Sequence, residues 1–394
     1  MTSRDLSKVM RQNVREYGMY IALVVIIVVF SITTNGLFIS SRNISNLLNQ
    51  AGYIAVLAVG MTLVIVIRHI DLSVGFLSGF LGAIAAVSMV YWHFPVYATI
   101  PLVLAFGIVA GLVTAFPVAR LGIPSFVASL AGWLIYRGAL LLITLKSGTI
   151  KINNDVFNAI GNGYIPDILP SSSFLPGVHK LTLLFGIIAI IWMIWSQIRS
   201  RKAKQAYNFE VLPADLFTIQ LVFLSIVIAL ITWVLSGYNG MSWTVVIVLV
   251  VVAFFHFMST RTVLGRHIYA IGGNPEAAAL SGINVQNLIF IVFGAMGFLC
   301  AIAGMLFASR LTSATTTAGT LFELDAIAAA YIGGVSAAGG VGKITGSFVG
   351  ALVYISLTSG MNLMGTDISF QYVVRGAVLA LAVIFDVTTR RARR

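Results

Sequence analysis

Long apolar runs separated by short polar breaks dominate the chain. They fall at about 17–38, 46–67, 73–92, 97–117, 125–145, 180–198, 215–236, 241–259, 288–308, 324–337, 344–363 and 369–388. Most approach the roughly 20 residues that a helix needs to cross a hydrocarbon core of about 30 Å. They predict an all-α, polytopic transmembrane bundle of about twelve spans, with residues 1–394 as one transmembrane domain. The run at 324–337, "LDAIAAAYIGGVSA", is too short to cross untilted and ends in glycines. It reads as a broken or re-entrant helix, which must be buried in protein or line a cavity. The first run is longer than a secretory h-region and no small-residue cleavage site follows it, so it is expected to stay as a helix.

Composition supports this picture. Mean hydropathy is +0.99 and 9% of residues are charged, against roughly 25% in soluble domains. The formal charge of +12 raises the question of nucleic acid, which the placement of the basic residues answers. They cluster at the ends of apolar runs, as in Arg4/Lys8/Arg11/Arg15, Arg199/Arg201/Lys202/Lys204 and Arg390/Arg391/Arg393/Arg394. With the N-terminus inside, 17 of the 24 Lys and Arg fall on the cytoplasmic side, 5 outside (Arg42, Lys146, Lys151, Lys180, Arg310) and 2 within spans (Arg137, Arg375). That is the positive-inside bias of a membrane protein with both termini cytoplasmic. Residues 1–16 read as a cytoplasmic tail, 147–179 as a periplasmic loop without apolar periodicity, and 261–287 as a cytoplasmic loop. Ser172 is expected outside; Ser200 and Gln286 are expected inside. The single cysteine, Cys300, lies in an apolar run and reads as packing.

Catalytic motifs fail on spacing. "GGVGKIT" (339–345) is no phosphate loop, because Ala337 stands where the first glycine is required and Ile344 where Ser or Thr must follow Lys343. His69, His93, His179, His256 and His267 are scattered without metal-ligand spacing, and no Gly-x-Ser-x-Gly elbow occurs. No enzyme activity, cofactor or metal is expected. Glycine-rich stretches at 75–86, 294–304 and 342–352, the last with Gly342, Gly346 and Gly350 four apart, predict close helix contacts in lipid.

Polar residues at membrane depth are few. Asp71 opens a span, with its carboxylate expected to cap the N–H groups of Ser73 and Val74 or to take part in gating. Glu323 and Asp325 are expected to open a span at the outer face as cap or first-turn acids. Arg137, Asn362, Gln371 and Arg375 are expected to line the interior, as inter-helix bonds or as contacts for a polar solute.

The polar stretch "GGNPEAAALSGI" (272–283) lies between two greasy segments. Asn274 and Pro275 are helix-start signals, Glu276 sits in the first turn, and Gly282 stops the helix. A short surface helix at 275–282 results, thin enough at Ala277, Ala278, Ala279 and Ser281 to enter a groove on another protein; the alternative is an ordinary connecting loop.

The segment "GRHIYAIGGNPEAAALSGINV" resembles the EAA-type cytoplasmic loop of ATP-binding-cassette import permeases, in the family that carries ribose, xylose, arabinose and galactose. "LAVGMTLVIVIRHIDLSVG", "IPSFVASLAGWLIYRG" and "FELDAIAAAYIGGVSAAGGVGKITGSFVGAL" extend the likeness over most of the chain except roughly 150–238. Arg68 and His69 depart from the small, neutral or acidic residues usual before Asp71. An extra hairpin at 180–236 makes the length similar to xylose-type and multiple-monosaccharide permeases. The resemblance implies the permease subunit of a bacterial inner-membrane sugar importer. It implies a homodimer with the passage at its two-fold axis, a cytoplasmic ATPase subunit and a periplasmic sugar-binding protein. Arg266, Asn274, Pro275, Glu276, Ala277, Ala278, Ser281 and Gly282 would then form the ATPase-coupling surface. Asp71, Ser73, Glu323, Asp325, Asn362 and Gln371 are the candidates for pathway or gate. A branched-chain amino-acid permease and an ion-coupled secondary transporter are the competing readings.

Overall fold

The computed structural model describes residues 14–168, 176–207, 211 and 213–391. Residues 1–13, Ser172, Arg393 and Arg394 lie outside the described residues. The helices are α1 (Val14–Thr33), α2 (Ser41–Val66), α3 (Val74–Val90), α4 (Val96–Leu121), α5 (Ser125–Thr144), α6 (Asp155–Asn162), α7 (Lys180–Ala206), α8 (Ala214–Ser236), α9 (Trp243–Arg261), α10 (Val263–Gly273), α11 (Pro275–Leu280), α12 (Val285–Leu311), α13 (Phe322–Ile332), α14 (Ile344–Leu363) and α15 (Ile368–Arg391). Each apolar run contains a helix. Among the described residues, nine helices are long and apolar enough to cross a membrane by themselves, and Gly18–Thr33 and Val74–Val90 are shorter apolar segments.

Contacts divide the chain into a larger unit of residues 1–38, 47–163 and 244–394 and a smaller one of 39–46 and 164–243. In the larger unit, the most apolar window of α2 is 89% buried and that of α12 is 72% buried, whereas that of α15 is 6% buried. The first two are therefore the posts around which the others pack. Small residues let the backbones meet, as expected from the glycine-rich stretches. A Cβ on Gly82 would lie 2.7 Å from the Gly304 carbonyl oxygen, where α3 crosses α12. Two turns earlier along α12, a Cβ on Gly297 would run into the Gly107 carbonyl of α4. Between α13 and α14 the same holds for Gly346 against Gly333 and for Gly350 against Ala329. Cys300 is fully buried in α12.

Part of the segment read as loop is ordered. β1 (Thr149–Lys151) pairs antiparallel with β2 (Ser313–Thr315), with Ile150 opposite Ala314. The Asn154 side chain caps α6 by accepting from Phe157 N at 3.0 Å. Ser309 Oγ then fastens α6 to α12, accepting from Gly161 N at 2.7 Å and donating to the Phe157 carbonyl at 2.7 Å. Three-residue strands and a two-turn helix are too short to leave a periodic signal; these tertiary bonds hold them.

In the smaller unit, α7 and α8 pair at Gly186, where a Cβ would meet Thr232. Helix α7 runs on through the basic cluster to Ala206 instead of stopping near 198. Arg and Lys are good helix formers, and Arg201 lies 4.5 Å over the Phe217 ring.

Candidate functional site

Helix α13 is the broken element, and its place in the larger unit differs from expectation. After β2 the chain descends beside α3, with Gly79 packed on Ala318 and Gly75 on Gly319. Leu321, in the left-handed region at φ 65°, turns it into α13, a conformation costly for a branched L-residue. Asp325 in the first turn then meets Tyr354, the eleventh of the 20 residues of α14, and Arg375, the eighth of the 24 of α15. Helix α13 thus opens level with the middle of its neighbours, and not at the outer face as Glu323 and Asp325 were expected to do. The chain reaches that depth through consecutive turns at 316–321, with Ala318 N bonded to the Thr315 carbonyl and Thr320 N to that of Thr317, which an apolar run cannot reveal.

The two acids tie α13 to opposite neighbours. Arg375 Nη2 donates to both carboxylate oxygens of Asp325, at 2.8 and 2.7 Å, and Tyr354 OH donates to Asp325 Oδ1 at 2.5 Å. Arg375 Nε in turn donates to the Tyr354 oxygen at 2.8 Å. The acid is nearly enclosed, with 7% of its side chain exposed against 18% for the arginine. Glu323 Oε1 accepts from Trp133 Nε1 at 3.0 Å, which links α13 to the ninth residue of α5, and Oε2 is buried against Gly75. Arg137, expected in the interior, is exposed on the chain's surface with its guanidinium over the rings of Trp133 and Phe76, at 5.3 and 5.4 Å. Its long stem lets the charge reach an aromatic face without burial.

The remaining pathway candidates fall in two further places. Gln371 is buried and donates to Asn362 Oδ1 at 2.8 Å and to the Thr366 carbonyl at 3.0 Å, closing the turn between α14 and α15, while Asn362 itself is exposed. Asp71 and Ser73 are buried together at the start of α3. Asp71 Oδ1 accepts from Ser73 N at 2.9 Å and from Ser73 Oγ at 2.6 Å, so the hydroxyl takes the place expected for the Val74 N–H.

The segment at 272–283 forms the expected helix, two residues shorter. Asn274 Oδ1 accepts from Glu276 N and Ala277 N at 3.0 and 3.1 Å, Pro275 starts α11, Ser281 closes it, and Gly282 is left-handed at φ 84°. Arg266, Glu276, Ala277 and Ser281 are exposed. Ala278, expected to face a partner, is 5% exposed and packs into the chain's own core, whereas Leu280 is 91% exposed. Sequence reading missed Leu280, Trp133 and Tyr354; an apolar or aromatic residue in such a chain carries no mark of which way it faces.

A family profile described as "Branched-chain amino acid transport system / permease component" matches residues 43–383. The chain belongs to this permease family. It is similar to the xylose transport system permease proteins XylH of Haemophilus influenzae and Escherichia coli K12. The first is 41% identical over 96% of this chain and 98% of its own length, the second 39% identical over 99% and 96%. The ribose import permease protein RbsC of H. influenzae is 34% identical over 94% of this chain and 93% of its own. No solved structure matches it. With its apolar helices, the chain is a multi-pass inner-membrane transport permease of the monosaccharide type.

Proposed function

We propose that this chain is the membrane-spanning subunit of an ATP-driven importer of xylose or a closely related monosaccharide. The observation that carries the reading is the 41% and 39% identity to xylose permeases along nearly the whole chain, against 34% to a ribose permease. Two copies would form the passage at their two-fold axis. A periplasmic sugar-binding protein would deliver the solute, and an ATPase would dock inside on α11, with Leu280 as the apolar anchor beside Glu276, Ala277 and Ser281 and with Arg266 nearby. Both termini would be cytoplasmic, consistent with the positive-inside bias. The family profile's own description keeps a branched-chain amino acid as the second reading. Passing a zwitterion calls for free fixed charges of both signs, whereas Asp325 and Arg375 already satisfy each other. Uptake by vesicles holding the permease with its ATPase and binding protein tests this, using labelled xylose, ribose and leucine. ATP-dependent xylose uptake is expected; leucine uptake, or sugar uptake driven by an ion gradient without ATP, overturns the reading.

A further inference from the structure

Three stretches of backbone meet beside the coupling helix, all within the larger unit. The first is the end of α2, where Arg68 stands in the left-handed region at φ 66°. The second is the end of α10, whose last carbonyls would otherwise lack partners. The third is the loop between α13 and α14. Arg68 Nε donates to the Gly272 carbonyl at 2.8 Å, and its Nη2 donates to that of Gly273. Gly340 N donates to the Val66 carbonyl at 2.9 Å, and Tyr269 OH donates to that of Gly342 at 2.6 Å. No side chain separates the strands: a Cβ on Gly272 would lie 2.5 Å from Gly340 N and would also strike the Val66 carbonyl.

We propose that Arg68 is a positioning residue that passes movement of α11 into the transport machinery; this rests on α11 being the ATPase-docking helix. Asn274, the residue after the two carbonyls that Arg68 holds, caps α11. The guanidinium therefore joins α11 through one peptide step to α2, the most buried post. Through the Val66–Gly340 bond it also joins the loop that leads back to α13 and its Asp325–Arg375 pair. A positive charge at a helix C-terminus is electrostatically favoured, and the planar fork holds two carbonyls at once, which a lysine ammonium cannot do in the same geometry. A push on α11 thus moves α2 and the broken helix together.

The test uses the complete transporter, with ATPase binding, ATP hydrolysis and sugar uptake measured on the same vesicles. In Arg68→Ala, ATPase binding and hydrolysis are expected to stay within about twofold, while sugar moved per ATP falls about tenfold, in the usual range of coupling between sites. Arg68→Lys should recover part of the ratio. A merely structural role would instead lower folded yield and leave the ratio unchanged. If Arg68→Ala does not fold, Arg68→Lys is measured instead, which keeps the charge at the helix end but loses the fork that holds both carbonyls. The ratio of sugar moved per ATP should then fall at normal ATPase binding. An unchanged ratio in either experiment, or loss of ATPase binding in Arg68→Ala, overturns the proposal. Unchanged ATPase binding in Leu280→Glu removes the docking reading and this proposal with it. Lost binding there, with an unchanged ratio in Arg68→Ala, removes this proposal alone.

Discussion

Replacing Arg375 by Met keeps the length of the side chain and deletes its charge, which leaves the Asp325 carboxylate in a nearly closed site with one remaining side-chain donor, Tyr354 OH. Both partners are less than a fifth exposed, so solvent screens little of the loss. Breaking a buried pair by removing one member typically costs about 3–5 kcal/mol, because the other charge is left uncompensated. At about 1.2 °C per kcal/mol for a chain of 394 residues, the apparent melting temperature in detergent should fall by about 4–6 °C. Asp325→Asn added to Arg375→Met removes the orphaned charge, so the double variant should be more stable than Arg375→Met alone. With Asp325→Asn alone as the fourth corner of the cycle, the coupling energy is the loss in the double variant minus the sum of the losses in the two single variants. A fall below about 2 °C in Arg375→Met, or a double variant no better than the single, would refute the assignment of this pair as the fastening of α13 to α15.

Three further outcomes are expected. Leu280→Glu should abolish co-purification of the ATPase without lowering the permease's melting temperature, since the side chain is 91% exposed; normal binding would remove α11 as the docking helix. Gly350→Leu should cost about 1–3 kcal/mol or more by overpacking, because even a Cβ there strikes Ala329 and comes within 2.8 Å of Gly333 N; normal stability and yield would place that face of α14 toward lipid. Cysteines at 200 and 286, both exposed positions, in a Cys300→Ser background should resist an impermeant thiol reagent in intact cells and react after lysis. Labelling from outside would invert the orientation.

The parts legible in the sequence were those that a single physical rule governs. A bilayer demands about 20 apolar residues per crossing, and each run found on that rule contains a helix. Asn274, Pro275 and Gly282 are local signals, and α11 lies between them with Asn274 as its cap. What stayed hidden depends on long-range neighbours. Glu323 and Asp325 were recognised as first-turn acids, but their depth is set by the run of turns between Thr315 and Leu321 that passes along Gly75 and Gly79. Ala278 and Leu280 sit in one six-residue helix. Only the packing of α11 on the rest of the chain decides that the alanine is inside and the leucine out.

The contact between α13 and α14 has a mechanical meaning. Helices that interlock through large side chains must lift each knob out of its hole before one can slide along the other. Along Ala329, Gly333, Gly346 and Gly350 the contact is backbone on backbone, so there are few knobs to lift. Axial travel of α13 is instead restrained by Trp133 and Arg375 gripping its first turn. In any axial movement of α13 the glycine seam would act as a bearing, and the two polar contacts at its head as the stops.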